Sequence, residues 1–281
     1  MRVGLFIGGI EDKKQVLSLR EKFNDEIVGY SSPAPIPSIL DDIKFQPYPL
    51  ELLSGCDVAM IFDKKGIFES ISKSAIKRGI HVYIHYLNHS NVSQLIELKG
   101  LLQEINVSVG FGFSGQNLSD YIGNDSLLNT PFFMDYRVML SQFPNNSSFK
   151  DQLLCDIATI VRLKIGQYRK IRFSAFPSSS ANYNLMNLRI EFPNGSLINY
   201  TLSRLEPINR TLIYLYGNQI DMPLSFEFDK SSLFHSDKLE VKTPVSFVDS
   251  IKNSTDFGFS VDEAIAVQQI SCELESKLIV H

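Results

Sequence analysis

The sequence predicts an α/β domain built on a doubly wound parallel sheet, followed by an α+β domain with a mainly antiparallel sheet and packed helices. Three observations predict it. Over the first 116 residues, short apolar runs alternate with helical patterns, as βαβ units require. From residue 171 onward the apolar spacing has period two, as in strands with one buried face. One strong amphipathic helical pattern introduces that second regime and another closes the chain. A length of 281 residues accommodates two such domains, 1–116 and 117–281.

The elements follow in order. Val3 to Ile7 is an apolar run that ends in Gly8-Gly9, the pattern of a buried parallel strand entering a tight turn. Residues 13–23 carry Val16, Leu19 and Phe23 at near-helical spacing. Residues 26–30 read as a second strand, and the Pro-rich stretch 31–37 as an extended loop. Residues 50–54 form a short helical turn, 58–62 a third strand and 68–78 a helix stopped by Gly79. Strand 82–85, helix 92–104 and strand 107–111 complete the first half. Residues 117–144 are mixed and turn-rich, and 151–164 are an amphipathic helix stopped by Gly166. Strands are expected over 171–176, 185–192, 197–205, 211–216 and 224–228, with Pro193-Asn194-Gly195 as a hairpin turn. In the last helix, 260–279, Ser260 and Glu263 have capping-box spacing.

Composition excludes several function classes. The formal net charge is −4, with no basic block, which argues against nucleic-acid binding by bulk electrostatics. The hydrophobic share is 44%, ordinary for a globular protein, and no run is long enough to span a membrane. The N-terminal apolar run is too short for a signal segment, so a cytoplasmic location is expected and Asn-x-Ser/Thr triplets such as Asn194-Gly195-Ser196 are chance matches. Cys56, Cys155 and Cys272 are odd in number and far apart, as expected of unpaired thiols in a reducing compartment. His81, His85 and His89 are evenly spaced, but a strand and its following loop need not bring them together, and no metal site is expected.

Four segments carry a resemblance. Arg2-Val3-Gly4-Leu5-Phe6-Ile7-Gly8-Gly9 resembles the first strand and glycine turn of the Gfo/Idh/MocA oxidoreductases (glucose-fructose oxidoreductase, inositol dehydrogenase and relatives). Ala75-Ile76-Lys77-Arg78-Gly79-Ile80-His81-Val82 resembles the run leading to that family's catalytic strand. Leu188 to Gly195 is similar to its Glu-Asn-Gly hairpin, and Ile213-Tyr214-Leu215-Tyr216-Gly217 to a strand end ahead of its second glycine. The resemblance spans nearly the whole chain. It implies a Rossmann-type dinucleotide-binding domain, NAD or NADP as cofactor, a sugar-type small molecule as substrate, and a homo-oligomer formed through the second sheet.

The same resemblance assigns the site residue by residue. Family members bind the pyrophosphate on Gly-x-Gly-x-x-Gly, which needs close backbone approach. Here only Gly9 falls in register, with Ile7 in the first glycine's place and Asp12 in the third; Glu11 and Asp12 add negative charge beside two phosphates. Gly8, Gly9 and the Ile10 amide are the positions expected to face the cofactor. The second strand ends in Tyr30-Ser31-Ser32, with no ribose-binding acid and no nearby arginine; Ser31 either bonds a ribose or phosphate or belongs to a polar loop. Phe62 and Asp63, at the end of the third strand, join the cofactor-lining set, although Asp63-Lys64-Lys65-Gly66 also reads as a solvated turn.

The fourth strand ends in His85-Tyr86-Leu87 where the family has Glu-Lys-Pro, so Tyr86 replaces the lysine that handles the substrate proton. A tyrosine serves there only with its high pKa lowered by a cation, and His85 and Lys64 are the nearest candidates. On the helix of the second domain, Gln152 and Asp156 stand where relatives carry Asp and His on one face. Tyr86, His85 and Asp156 are therefore the candidate catalytic residues. Two functions stay open: a sugar oxidoreductase with degraded cofactor and catalytic motifs, and a non-catalytic pseudo-oxidoreductase that binds a small molecule or a partner subunit.

Overall fold

The computed structural model describes residues 1–9, 13–36, 40, 42–87, 92–112, 130–140, 146–163, 167–176, 184–204, 210–217, 224–229, 244–255, 257 and 259–278. Two compact units divide the chain. Met1–Ser114 and Lys242–Gln269 form the first; Gly115–Val241 and Ile270–His281 form the second.

The first unit is a five-stranded parallel sheet of order β2-β1-β3-β4-β5. Its strands are β1 (Val3–Ile7), β2 (Ile27–Ser31), β3 (Val58–Phe62), β4 (His81–Ile84) and β5 (Val109–Phe111). Every residue of β1 and β3 is buried, as apolar strands covered on both faces must be. Helices α1 (Lys13–Phe23), α2 (Pro49–Ser54), α3 (Glu69–Lys77) and α4 (Val92–Glu104) connect the strands. Proline opens α2, where its missing N–H costs nothing. Val16, Leu19 and Phe23 of α1 pack with Val3, Leu5 and Ile7 of β1, so alternate β1 side chains face that helix. On the opposite face Gly4 lies against Cys56 and Leu52. Each expected element of this half forms, with ends displaced by one or two residues, the usual scatter of helix and strand termini.

Residues 242–269 pack here, although their place in the sequence put them with the second half. Helix α6 (Pro244–Lys252), which periodicity did not mark, brings Phe247 and Val248 into the core of the first unit beside Tyr83, together with Phe257. Gly110 makes room for them: a Cβ there would stand 2.5 Å from Phe247 and 2.9 Å from Phe257. Local spacing identifies an apolar face but not which sheet it covers, hence the difference.

The second unit is a six-stranded sheet of order β11-β10-β6-β9-β8-β7. Its strands are β6 (Phe132–Met139), β7 (Lys170–Phe176), β8 (Leu185–Glu191), β9 (Leu197–Ser203), β10 (Arg210–Gly217) and β11 (Leu224–Asp229). All neighbours are antiparallel except β6 and β9, which run parallel. Met134, Tyr136 and Val138, Met186, Leu188 and Ile190, and Ile198, Tyr200 and Leu202 point to one buried face. Helix α5 (Asn146–Val161) adds Leu154, Ile157 and Ala158 to the buried set. Each such side chain contributes about 1.5–3 kcal/mol by leaving water. The β8–β9 turn is the expected hairpin: Gly195 has φ 88°, and its N–H donates to Phe192 O at 3.1 Å. Strand β6 is the correction here, since 117–144 read as turn-rich. Its alternation is present, but outward Phe133 and Met139 are as apolar as the inward residues. Ser260 caps the last helix, α7 (Val261–Leu278): its Oγ accepts from Glu263 N–H at 3.2 Å, while its own N–H donates to Glu263 Oε2 at 2.6 Å.

Candidate functional site

In a doubly wound sheet, ligands bind outside the carboxyl ends of the strands, where the winding reverses. The order β2-β1-β3-β4-β5 puts that reversal between β1 and β3. Gly8 and Asp63 follow those two strands, and Gly8 N–H donates to Phe62 O at 2.7 Å. The expected cofactor-lining residues Gly8, Gly9, Ser31, Phe62 and Asp63 thus share the carboxyl edge of one sheet. Ile10, with Glu11 and Asp12, lies outside the described residues.

Ile7 does not enter the crevice. Its side chain is buried in the core with Val3 and Leu5. Among the described residues an added Cβ at Gly9 would meet nothing within 4 Å, so they leave space there for close approach. Gly8 is packed instead: a Cβ there would stand 2.9 Å from Asp63 Cγ.

Asp63 is not the solvated turn residue expected. It is only 6% exposed, and its carboxylate organises the loop that follows. Oδ1 accepts from Lys65 N–H at 3.0 Å, inside the loop, and Oδ2 from Phe68 N–H at 2.5 Å, at the N-cap of α3. Lys64, inside that loop, places Nζ 5.4 Å from the ring centre of Tyr86. A recess of about 30 Å³ lies beside this loop, lined by Asp63, Gly66, Phe68 and Tyr86 among others.

The two serines at the end of β2 divide the roles expected of them. Ser32 Oγ donates to Ala34 O and belongs to the loop. Ser31 is 1% exposed, and its Oγ is buried without a hydrogen-bond partner. An orphaned hydroxyl at the carboxyl edge of a doubly wound sheet fits a hydrogen bond to a bound ligand. Together with the open side of Gly9, it makes the described edge compatible with an adenosine nucleotide.

At the end of β4, His85 and Tyr86 are half-buried and their rings meet edge to face, 4.6 Å between centres. Tyr83 Oη and His85 Nδ1 lie 3.2 Å apart. This partner for His85 was not found in the sequence. Its only signal was the alternation that sends residues 83 and 85 to the same face of β4. His81, at the other end of the strand, accepts from Ser108 N–H through Nδ1 at 2.9 Å. Burial pulls its pKa down, with Asp57 opposing. His81 and His85 therefore do not converge, and His89 lies outside the described residues. Among the described residues no group of three His, Cys, Asp or Glu stands ready for a metal.

Asp156 belongs to the second unit and is 4% exposed. Tyr136 Oη donates to its Oδ1 at 2.6 Å, Gln152 Nε2 to the same oxygen at 3.0 Å, and Tyr200 Oη to Oδ2 at 2.7 Å. The i, i+4 spacing does put Gln152 and Asp156 on one helical face. Burial first, and the charge of Asp156 second, push both phenols well above their ordinary pKa. The carboxylate thereby fastens α5 to β6 and β9.

No family model matches the chain, and no curated protein matches it. Solved structures do. UDP-N-acetylglucosamine 3-dehydrogenase GnnA from Acidithiobacillus ferrooxidans is 13% identical, with a TM-score of 0.72 over 98% of this chain and 97% of its own. A dehydrogenase (MviM) from Clostridium difficile is 19% identical, with a TM-score of 0.70 over 100% of this chain and 99% of its own. Biliverdin reductase from Synechocystis, in complex with biliverdin and NADP+, is 14% identical, with a TM-score of 0.64 over 98% of both chains. At such identities the likeness is one of fold. The chain shares with these structures a fold of a Rossmann-type parallel sheet followed by a mainly antiparallel one.

Proposed function

We propose that the chain is an NAD(P)-dependent oxidoreductase of the Gfo/Idh/MocA type acting on a sugar or sugar derivative. The observation that carries this reading is the β1–β3 switch point, where the open side of Gly9 and the orphaned Ser31 hydroxyl share an edge with His85 and Tyr86. Gly8, Gly9, Ser31, Phe62 and Asp63 would hold the dinucleotide. When bound, its nicotinamide supplies the hydride acceptor or donor. Tyr86 exchanges the substrate's hydroxyl proton, with the Lys64 ammonium on its ring face. The neighbours' names support a nicotinamide cofactor. One of them acts on a nucleotide sugar and another on biliverdin, so the sugar class rests on the first and on the resemblance of the sequence.

A second reading, a non-catalytic subunit that keeps the crevice for a small molecule or partner, is favoured by two features. Tyr86 replaces the family's lysine, and the Asp63 carboxylate sits in the crevice against Gly8. Thermal unfolding with NAD(H) and NADP(H), followed by a sugar-oxidation screen at 340 nm, separates the two. A melting shift and turnover support the enzyme. Turnover absent throughout, with stabilisation by a sugar or partner alone, supports the binding subunit.

The outer face of the second sheet supports a homo-oligomer. Phe133 and Tyr216 are 36% and 42% exposed there, with ring centres 5.7 Å apart. Light scattering of the purified chain tests it, and a monomer at all concentrations ends it. No helix among the described residues is long and apolar enough to cross a membrane.

A further inference from the structure

Glu191 lies on the outer face of the second sheet, where three arginines share it. Arg169 Nη2 donates to Glu191 Oε2 at 3.3 Å. Arg172 Nε and Arg189 Nε stand 3.6 and 3.7 Å from Oε1, which makes them charge contacts rather than hydrogen bonds. The Arg169 hydrogen bond first, then the charges of Arg172 and Arg189, hold the Glu191 carboxyl below the usual carboxylate range. The register explains the crowding. Edge strand β7 pairs Lys170 with Glu191 and Arg172 with Arg189 on β8, so these four side chains leave one face. Like charges directly opposite each other destabilise a strand pair. One carboxylate among three guanidiniums and the Lys170 ammonium leaves an excess of three positive charges, on a chain whose net charge is −4.

A local rule broken without compensation points to function. The tip nitrogens of Arg172 and Arg189 have no partner among the described residues, and these side chains are 61% and 50% exposed. Guanidinium tips match phosphate oxygens, and a dianion offsets more of the excess than a second carboxylate would. The patch is also small. Along the strands the next pair on that face is Ser174 with Asn187, and across the sheet Arg189 meets Asn199. It is therefore about 5 Å wide and about 7 Å long, too short for a nucleic-acid strand and too narrow for a membrane surface.

We infer that Arg172 and Arg189, with Arg169 and Lys170 beside them, bind the phosphate of a small soluble compound, a phosphomonoester or a diphosphate. Glu191 holds the arginine stems together when the phosphate is absent. The inference does not depend on the oxidoreductase reading.

The test is thermal unfolding and phosphorus NMR of the full chain with inorganic diphosphate at low millimolar concentration, against chloride at equal ionic strength. Low concentration keeps general salting effects small. Wild type is expected to bind saturably and melt higher with diphosphate. Arg172→Gln and Arg189→Gln should each melt no lower than wild type in chloride, since an opposed charge is gone, and bind diphosphate about 10-fold more weakly. Glu191→Gln should melt lower in chloride and bind diphosphate more tightly. A response equal in wild type and both arginine variants, whether from the dinucleotide crevice or from an adventitious ion only, overturns the inference. So does a melting point that rises with chain concentration and not with diphosphate, because a second copy then covers the patch. Tighter binding to phosphatidylcholine vesicles containing phosphatidic acid than to free diphosphate overturns it too, by giving the phosphate to a membrane.

Discussion

The Asp63 carboxylate fills the space that a side chain at Gly8 would need, with Cγ 2.9 Å from where that Cβ would stand. Gly8→Ala therefore forces Asp63 off the Lys65 and Phe68 amides. Losing buried hydrogen bonds of this kind costs about 1–3 kcal/mol. Urea unfolding followed by circular dichroism should show that loss. Asp63→Ala alone loses the same two bonds, so the double variant should fall short of the sum by about 0.5–3 kcal/mol. Full additivity would mean that the two positions do not meet.

The Tyr136–Asp156–Tyr200 cluster gives a prediction with a defined pH sign. Both phenols have folded pKa values raised above the ordinary 10.0. Their contribution is fully present below pH 10, where folded and unfolded chains both hold the proton. It is lost as pH rises beyond that value, because only the unfolded chain ionises readily. Wild-type stability should fall above about pH 10, and the fall should be shallower in Tyr136→Phe and Tyr200→Phe. At pH 7 each substitution should destabilise by about 1–3 kcal/mol, because Asp156 loses a donor while buried. A pH-stability curve unchanged by both substitutions would contradict the network.

Much of the first sheet was legible because its strands are buried on both faces and read as unbroken apolar runs. The Ser260–Glu263 box and the Gly195 turn were legible because short-range chemistry fixes them. What was hidden was long-range. Phe247 and Phe257 look like any apolar pair until β4 and β5 lie beneath them. Strand β6 was blurred by Phe133 and Met139 on its outer face. At the site, the position of Tyr86 at a strand end was readable. The burial of Asp63 was not, since Asp63-Lys64-Lys65-Gly66 has the composition of a surface turn and Gly8, close to it in space, is far from it in sequence. Nor was the Tyr83–His85 contact, which depends on the absence of a side chain at residue 112.

Cys56 should be chemically silent in the folded chain. Burial, the leading cause, pushes its thiol up to about 12, with Arg2 pulling the other way. Its Sγ also donates to Leu52 O at 3.0 Å. The thiolate is the reactive species, so little is present at pH 8. Cys272 is exposed. A thiol-disulfide reagent at pH 8 should label Cys272 promptly and Cys56 only with denaturant, as peptide mass mapping would show. Prompt native labelling of Cys56 would mean that the α2–β3 connection opens readily.

Tyr86 separates the two functional readings most sharply. If it carries the substrate proton, Tyr86→Phe should lower kcat by about 10²-fold or more while leaving the cofactor-induced melting shift intact. Lys64→Met should lower it less, because it removes only the ammonium on the ring face. Tyr86→Lys installs the residue that the sequence resemblance places there. A crevice that still binds cofactor but lacks a proton acceptor should gain turnover from that change, where wild type has none. An enzyme that already works through Tyr86 should instead retain turnover with an altered pH profile. Steady-state rates of the three variants against pH, beside their melting shifts, distinguish these outcomes: proton transfer through Tyr86 requires that Tyr86→Phe be the slowest of the set.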